Sequence, residues 1–126
     1  MPQITVDYSA NLTDTFDRRG FALALHALTA TVANATVENC KTRFRCLEEV
    51  YVADGAPGSA LVHVQLALLT GRTEAVKAEL SEAVLELLRT YTARGADASG
   101  PVPVPVVHAS VDVNELGAAY RKHVGA

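Results

Sequence analysis

The stretch Met1-Pro2-Gln3-Ile4-Thr5-Val6-Asp7-Tyr8-Ser9 alternates apolar Ile4, Val6 and Tyr8 with polar Gln3, Thr5 and Asp7. That period of two marks a half-buried strand. Proline lacks the N–H that a sheet ladder needs, so it is tolerated at a strand's first position or on an edge. Pro2 sits at that first position, and the pattern alone asks nothing more of it. Processing adds a second reading. A leading Met before a small residue is normally removed, which makes Pro2 the expected mature terminus. While Met1 is attached, the Pro2 nitrogen is a planar, non-basic tertiary amide. Once Met1 is gone, the same atom is a titratable secondary amine held at the tip of a rigid strand.

Outward from this strand, Asn11 to Val32 carries Phe21, Leu25, Leu28 and Val32 on one helical stripe, with Thr13 or Asp14 as candidate caps. Gly20 weakens the pattern by roughly 1 kcal/mol relative to Ala and argues for a later start. His26, beside the stripe, is expected to be structural. Cys40 to Ala53 is a second extended run in which alternation puts Lys41, Arg43 and Arg45 on one face and Thr42, Phe44 and Cys46 on the other. Three cations on one strand face are either a solvated surface or an anion-binding floor, since guanidinium groups hold carboxylates in two-pronged bonds. Asp54-Gly55-Ala56-Pro57-Gly58 then ends the run.

The second half repeats the layout. Ala60 to Thr70 alternates Val62, Val64, Leu66 and Leu68 against Leu61, His63, Gln65 and Ala67, which predicts a strand. Thr73 is a candidate N-cap, with Glu74 in the first turn of a helix whose stripe is Val76, Leu80, Val84, Leu87 and Tyr91. Gly95 is its expected stop and Ala96 to Gly100 a linker. Pro101, Pro103 and Pro105 place the last run, Val102 to Val113, at an edge or in an irregular arm, and Glu115 to His123 is expected to form a short helix. The reading is one α+β domain of two β-α-β pseudo-repeats, residues 1–58 and 59–126. Right-handed crossovers lay both helices on one sheet face. The other face, with Lys41, Arg43, Arg45, Leu47, Tyr51, Leu61, His63 and Gln65, is left bare and expected to meet another copy of the chain.

Composition closes off other classes. The 126 residues are 49% apolar, enough for one core, with 6% aromatics and no Trp. A net charge of −3 gives no footprint for nucleic acid. The element order also fits ferredoxin-like RNA-binding domains, but those stack bases on aromatics, and here only Phe44 and Tyr51 are on offer. No apolar run is long enough for a membrane span and no signal peptide opens the chain, so a cytoplasmic location is expected. Six residues of strand hold Cys40 and Cys46 roughly 20 Å apart, too far for a disulfide. Neither the spacing of the cysteines nor a nearby His pair suggests a metal.

Met1-Pro2 ahead of a strand, and Gly71-Arg72-Thr73-Glu74-Ala75-Val76-Lys77-Ala78-Glu79-Leu80 after one, resemble the tautomerase superfamily. The second stretch is similar to the strand-to-helix turn of 4-oxalocrotonate tautomerase, whose short chain corresponds to one unit here. The whole chain is most similar to the 5-carboxymethyl-2-hydroxymuconate delta-isomerases, through Met1-Pro2, Ser9 to Asn11, Arg43, Ala53-Asp54-Gly55, Val62-His63, Gly71-Arg72 and Glu115-Leu116. It departs from them at Cys46 and Val50, where aromatics are expected, in its Val102-Pro103-Val104-Pro105 run, and in a shorter tail, Tyr120-Arg121-Lys122-His123.

The resemblance implies a homotrimer with sheets inside, helices outside and sites near subunit boundaries. It also implies a cofactor-free isomerase of aromatic-compound catabolism, acting on an unsaturated 2-hydroxy di- or tricarboxylate. Pro2 would be the acid/base, with Arg43 and Arg72 stabilising charge. Arg45, Lys41 and His63 are further candidates for contact with substrate. Hydration or dehalogenation of small unsaturated acids on the same proline is the alternative chemistry, and a non-catalytic oligomeric scaffold the alternative class.

Overall fold

A computed structural model describes residues 1–92 and 104–126. Strand β1 (Gln3–Ser9) leads through a 3-10 turn at Ala10–Leu12 into helix α1 (Arg18–Val32). A second 3-10 turn, Val37–Asn39, precedes β2 (Lys41–Leu47). Then come β3 (Ser59–Leu68), helix α2 (Glu74–Thr92) and β4 (Val106–Glu115). The sheet order is β2-β1-β3-β4. Each β-α-β unit pairs its own strands in parallel, and β1 and β3 join the units antiparallel, with Val6 opposite Val64 and Asp7 opposite His63.

Both helices cover the face built by Ile4, Val6, Val62, Val64, Leu66 and Leu68, all fully buried against Phe21, Leu25, Leu80, Val84 and Leu88. Each such aliphatic side chain contributes about 1.5–3 kcal/mol of burial, so the alternation seen in β1 and β3 is what holds the layers together. Tyr8, Phe16, Phe21 and Phe44 form an edge-on aromatic group under the start of α1. Phe44 therefore faces the helices and Tyr51 lies beyond β2, so neither offers the open sheet face a platform for bases.

Four expectations are corrected. The cap of α1 is Asp17, whose carboxylate accepts from the Gly20 N–H at 3.0 Å, rather than Thr13 or Asp14. β2 stops at Leu47 because its neighbour among the described residues, β1, ends opposite it at Ser9, and beyond that pair no described strand offers Glu48 to Ala53 a ladder. The core stripe of α2 runs Leu80, Val84, Leu88, Thr92, so Leu87 and Tyr91 fall at its margin. The tail after Glu115 is not helical: Leu116 extends the pairing by donating to the Leu68 carbonyl at 2.7 Å, and a single turn closes Tyr120 N–H on Gly117. A segment this short gains too little from helix propagation to offset nucleation. Gly95, the 96–100 linker, Pro101 and Pro103 lie outside the described residues. Pro105 immediately precedes β4, which is an edge strand as expected. Among the described residues no helix is long and apolar enough to cross a membrane.

Candidate active site

Antiparallel pairing of β1 with β3 brings the start of one beside the end of the other, Gln3 opposite Ala67. Parallel pairing then adds the start of β2 and the end of β4 to the same edge of the sheet. Four connections therefore meet around Pro2. Its carbonyl accepts from the Lys41 N–H at 3.1 Å, which pins the head of β1, and both Pro2 and Met1 are buried. Cys40 and Cys46 are both free thiols, one buried and one exposed.

Arg72 arrives from the turn between β3 and α2. Gly71, at φ +116, supplies a backbone conformation that L side chains rarely adopt. The Thr73 hydroxyl accepts from Val76 N–H at 3.2 Å and caps α2 as expected. Arg72 is held by two carbonyls, Nε on Ala33 at 2.9 Å and Nη1 on Leu69 at 3.2 Å. Beside it lies an open hollow of about 350 Å³ bounded by Val32 to Asn34 and Thr70 to Thr73. From the end of β4 come Tyr120, whose hydroxyl oxygen accepts from Gln3 Nε2 at 3.1 Å, and Lys122, whose Nζ donates to Asn39 Oδ1 at 3.3 Å.

These groups set the electrostatics of the chain's first nitrogen. Burial pushes the Met1 α-amine below its ordinary pKa; Lys122, Arg72 and Lys41 push the same way, and Cys40 opposes them. Cys40 itself is pushed up by burial. The result is a first nitrogen, one residue ahead of Pro2, that resists protonation.

Of the residues singled out in the sequence, Pro2, Arg72 and Lys41 share this end. Arg43 sits two residues further along β2, with Nη2 on Gln3 Oε1 and Nη1 3.5 Å from Thr5 Oγ1. Arg45 and His63 gather instead around Asp7. Arg45 forms a two-pronged ion pair with it at 2.6 and 2.9 Å. His63 lies opposite Asp7 with Nδ1 2.6 Å from Ser110 Oγ. Asp7 is about 13 Å along the strand from Gln3, so within one chain these two residues form a separate group. Sequence reasoning missed Gln3, Tyr120 and Lys122. Gln3 had a signal, since its parity puts it on the open face beside Lys41 and Arg43; the tail had none. Among the described residues no three His, Cys, Asp or Glu side chains group as a metal set.

A comparison with functionally curated sequences finds no significant match. Solved structures share the fold. The chain is similar to a 5-carboxymethyl-2-hydroxymuconate isomerase from Deinococcus radiodurans R1, with 24% identity over 98% of this chain and 90% of that one, at a TM-score of 0.79. A member of the cis-3-chloroacrylic acid dehalogenase family superposes at 0.71, with 23% identity over 98% and 81%. A fused 4-OT, a symmetric trimer, superposes at 0.65, with 18% identity over 86% and 84%. The family model for 5-carboxymethyl-2-hydroxymuconate isomerase matches residues 2–100, beginning at the proline that heads β1. On that match the chain belongs to the 5-carboxymethyl-2-hydroxymuconate isomerase family of the tautomerase superfamily, and it is an isomerase.

Proposed function

We propose that the chain, once Met1 is removed, isomerises an unsaturated 2-hydroxy di- or tricarboxylic acid of the 5-carboxymethyl-2-hydroxymuconate type, with Pro2 as acid and base. The observation that carries the reading is the convergence of Arg72, Lys41 and Lys122 on the chain's first nitrogen. Once Met1 is gone the same cations are neighbours of the Pro2 nitrogen, and their charge favours its neutral form with a lone pair available. That lone pair takes the enol proton of the substrate, leaving a dienolate whose negative charge spreads over the C2 oxygen and the conjugated chain. The ammonium so formed returns the proton to a carbon further along, so the product is an isomer and the amine is regenerated. Arg72 and Arg43 stand on either side of the head of β1 and stabilise the charge on the dienolate and on the acid groups.

The open sheet face, lined by Leu61 and Ala67 among polar neighbours, supports self-association, and the symmetric trimer formed by the fused 4-OT makes three copies the expected number. A soluble role in aromatic-compound breakdown, in the cytoplasm, follows from this substrate class. The cis-3-chloroacrylic acid dehalogenase relative favours a second reading, in which the same proline serves addition of water to a small haloacrylate.

Intact-mass measurement together with a Pro2→Ala variant tests the proposal. Expected are a chain that begins at Pro2 and a fall in dienol ketonisation of about 10²-fold or more in the variant. A fully active Pro2→Ala variant, or an active chain that retains Met1, rejects the proline base. Turnover of 3-chloroacrylate with no turnover of dienols moves the assignment to the second reading.

A further inference from the structure

Among the described residues three cations are matched by nearby carboxylates. Lys77 is taken by Glu74 and Glu115, Arg89 by Glu86, and Arg45 by Asp7. Four others gather at the head of β1. Among the described residues, Arg72, Arg43, Lys41 and Lys122 take part in no ion pair, and their bonds go to carbonyls, amides and a hydroxyl. Unmatched cations gathered in a chain of net charge −3 call for an anionic ligand with more than one acid group.

Lys122 is the member of this set carried on the tail, past the last strand. Two side-chain bonds tie its segment to neighbours of Pro2. Tyr120 accepts from Gln3, the residue after Pro2, at 3.1 Å. Lys122 donates to Asn39, two residues before Lys41, whose N–H is bonded to the Pro2 carbonyl. An ammonium group has three donors and Asn39 uses one, so donors remain for a carboxylate.

We propose that Lys122 is a substrate-binding, specificity-determining residue: it receives the carboxylate remote from the reacting end of an unsaturated diacid, and the Tyr120–Gln3 bond positions it to do so. This rests on the reading of Pro2 as the reacting group, and it adds the reason a second acid group is selected. A lysine carried on an exposed tail supplies point charge without the planar fork of an arginine, which suits a carboxylate whose position differs between substrates of different length.

The test is calorimetric titration of the processed protein with trans,trans-muconate, a six-carbon diene bearing a carboxylate at each end, and with sorbate, the six-carbon diene bearing one. The native chain is expected to bind muconate more tightly. Lys122→Gln is expected to weaken muconate about tenfold and sorbate by less than about twofold, Lys122→Arg to restore muconate, and Tyr120→Phe to give an intermediate loss for muconate alone. A native chain that does not distinguish the two acids, or a Lys122→Gln variant that loses both equally or neither, overturns the proposal. Titration needs no turnover, so the two readings fail separately. Normal discrimination in a chain whose Pro2→Ala variant still catalyses would keep Lys122 and remove the proline base.

Discussion

Arg72 donates through Nε to the carbonyl of Ala33 at 2.9 Å, tying the start of α2 to the end of α1 beside the head of β1. The same guanidinium therefore has a structural duty and, on the proposed mechanism, a chemical one. Arg72→Ala is expected to lower kcat/KM for a dienol diacid by about 10²-fold. Loss of the carbonyl contacts should cost about 1 kcal/mol, read as a drop of a few degrees in Tm. An unchanged rate in a slightly less stable protein would leave Arg72 only its structural duty.

The pH dependence of stability in the untrimmed chain follows from the direction of the shift at the Met1 amine. Its folded pKa lies below the ordinary value because burial, Lys122, Arg72 and Lys41 disfavour the charged form, with Cys40 acting against them. Above about pH 8 the amine is neutral in both folded and unfolded chains and costs nothing. As pH falls through the window beneath that value, the unfolded chain takes up a proton that the folded chain resists, so stability falls. In the trimmed chain the same cations are neighbours of Pro2, and the acid limb of kcat/KM is expected to have its midpoint below the ordinary amine value as well. Lys122→Gln should move that midpoint upward; a shift downward contradicts the assignment.

Gly20 is expected to reverse the usual helix rule. Replacing a helical glycine with alanine ordinarily stabilises by up to about 1 kcal/mol. Here a Cβ would meet Tyr91 Cε1 at 2.7 Å and press on the Asp17 carboxylate that caps the helix. Gly20→Ala should destabilise by about 1–3 kcal/mol in chemical denaturation, with activity at the distant site kept. A more stable variant would show that Tyr91 moves aside at no cost.

The open sheet face makes a separate prediction. Leu61 points away from the helices, opposite His108 on β4 and two residues from His63. Leu61→Asp is expected to shift the protein from three times the chain mass to the mass of one chain in light scattering. A variant that stays assembled places the subunit contact on another surface.

How much of this was legible in the sequence depended on the range of the forces involved. β1 and β3 were plain, because each buries one face and their alternation is local. The Thr73 cap was also local. The end of β2 was not, since it is set by where its neighbour runs out rather than by anything in Glu48 to Ala53. Gly20 looked like a defect because its partner, Tyr91, is on the other helix. Pro2 and Arg72 stood out through their motifs. The tail gave no sign: nothing in Tyr120 or Lys122 announces that residue 120 bonds to residue 3, and a helix was the natural reading of a stretch whose position comes only from docking.

Met1 leaves only 8% of its surface exposed, a depth at which an initiating residue is out of reach of most peptidases. On the proposed mechanism its excision exposes the working amine and at the same moment empties the space beside it, so catalyst and cavity are born in one cut. The order of events in the cell then matters: trimming has to come while the nascent end is loose, before the first strand is locked to its neighbours. Refolded, untrimmed chains are expected to lose Met1 to an aminopeptidase far more slowly than unfolded ones, and to melt a few degrees higher than the trimmed protein because they keep a buried side chain.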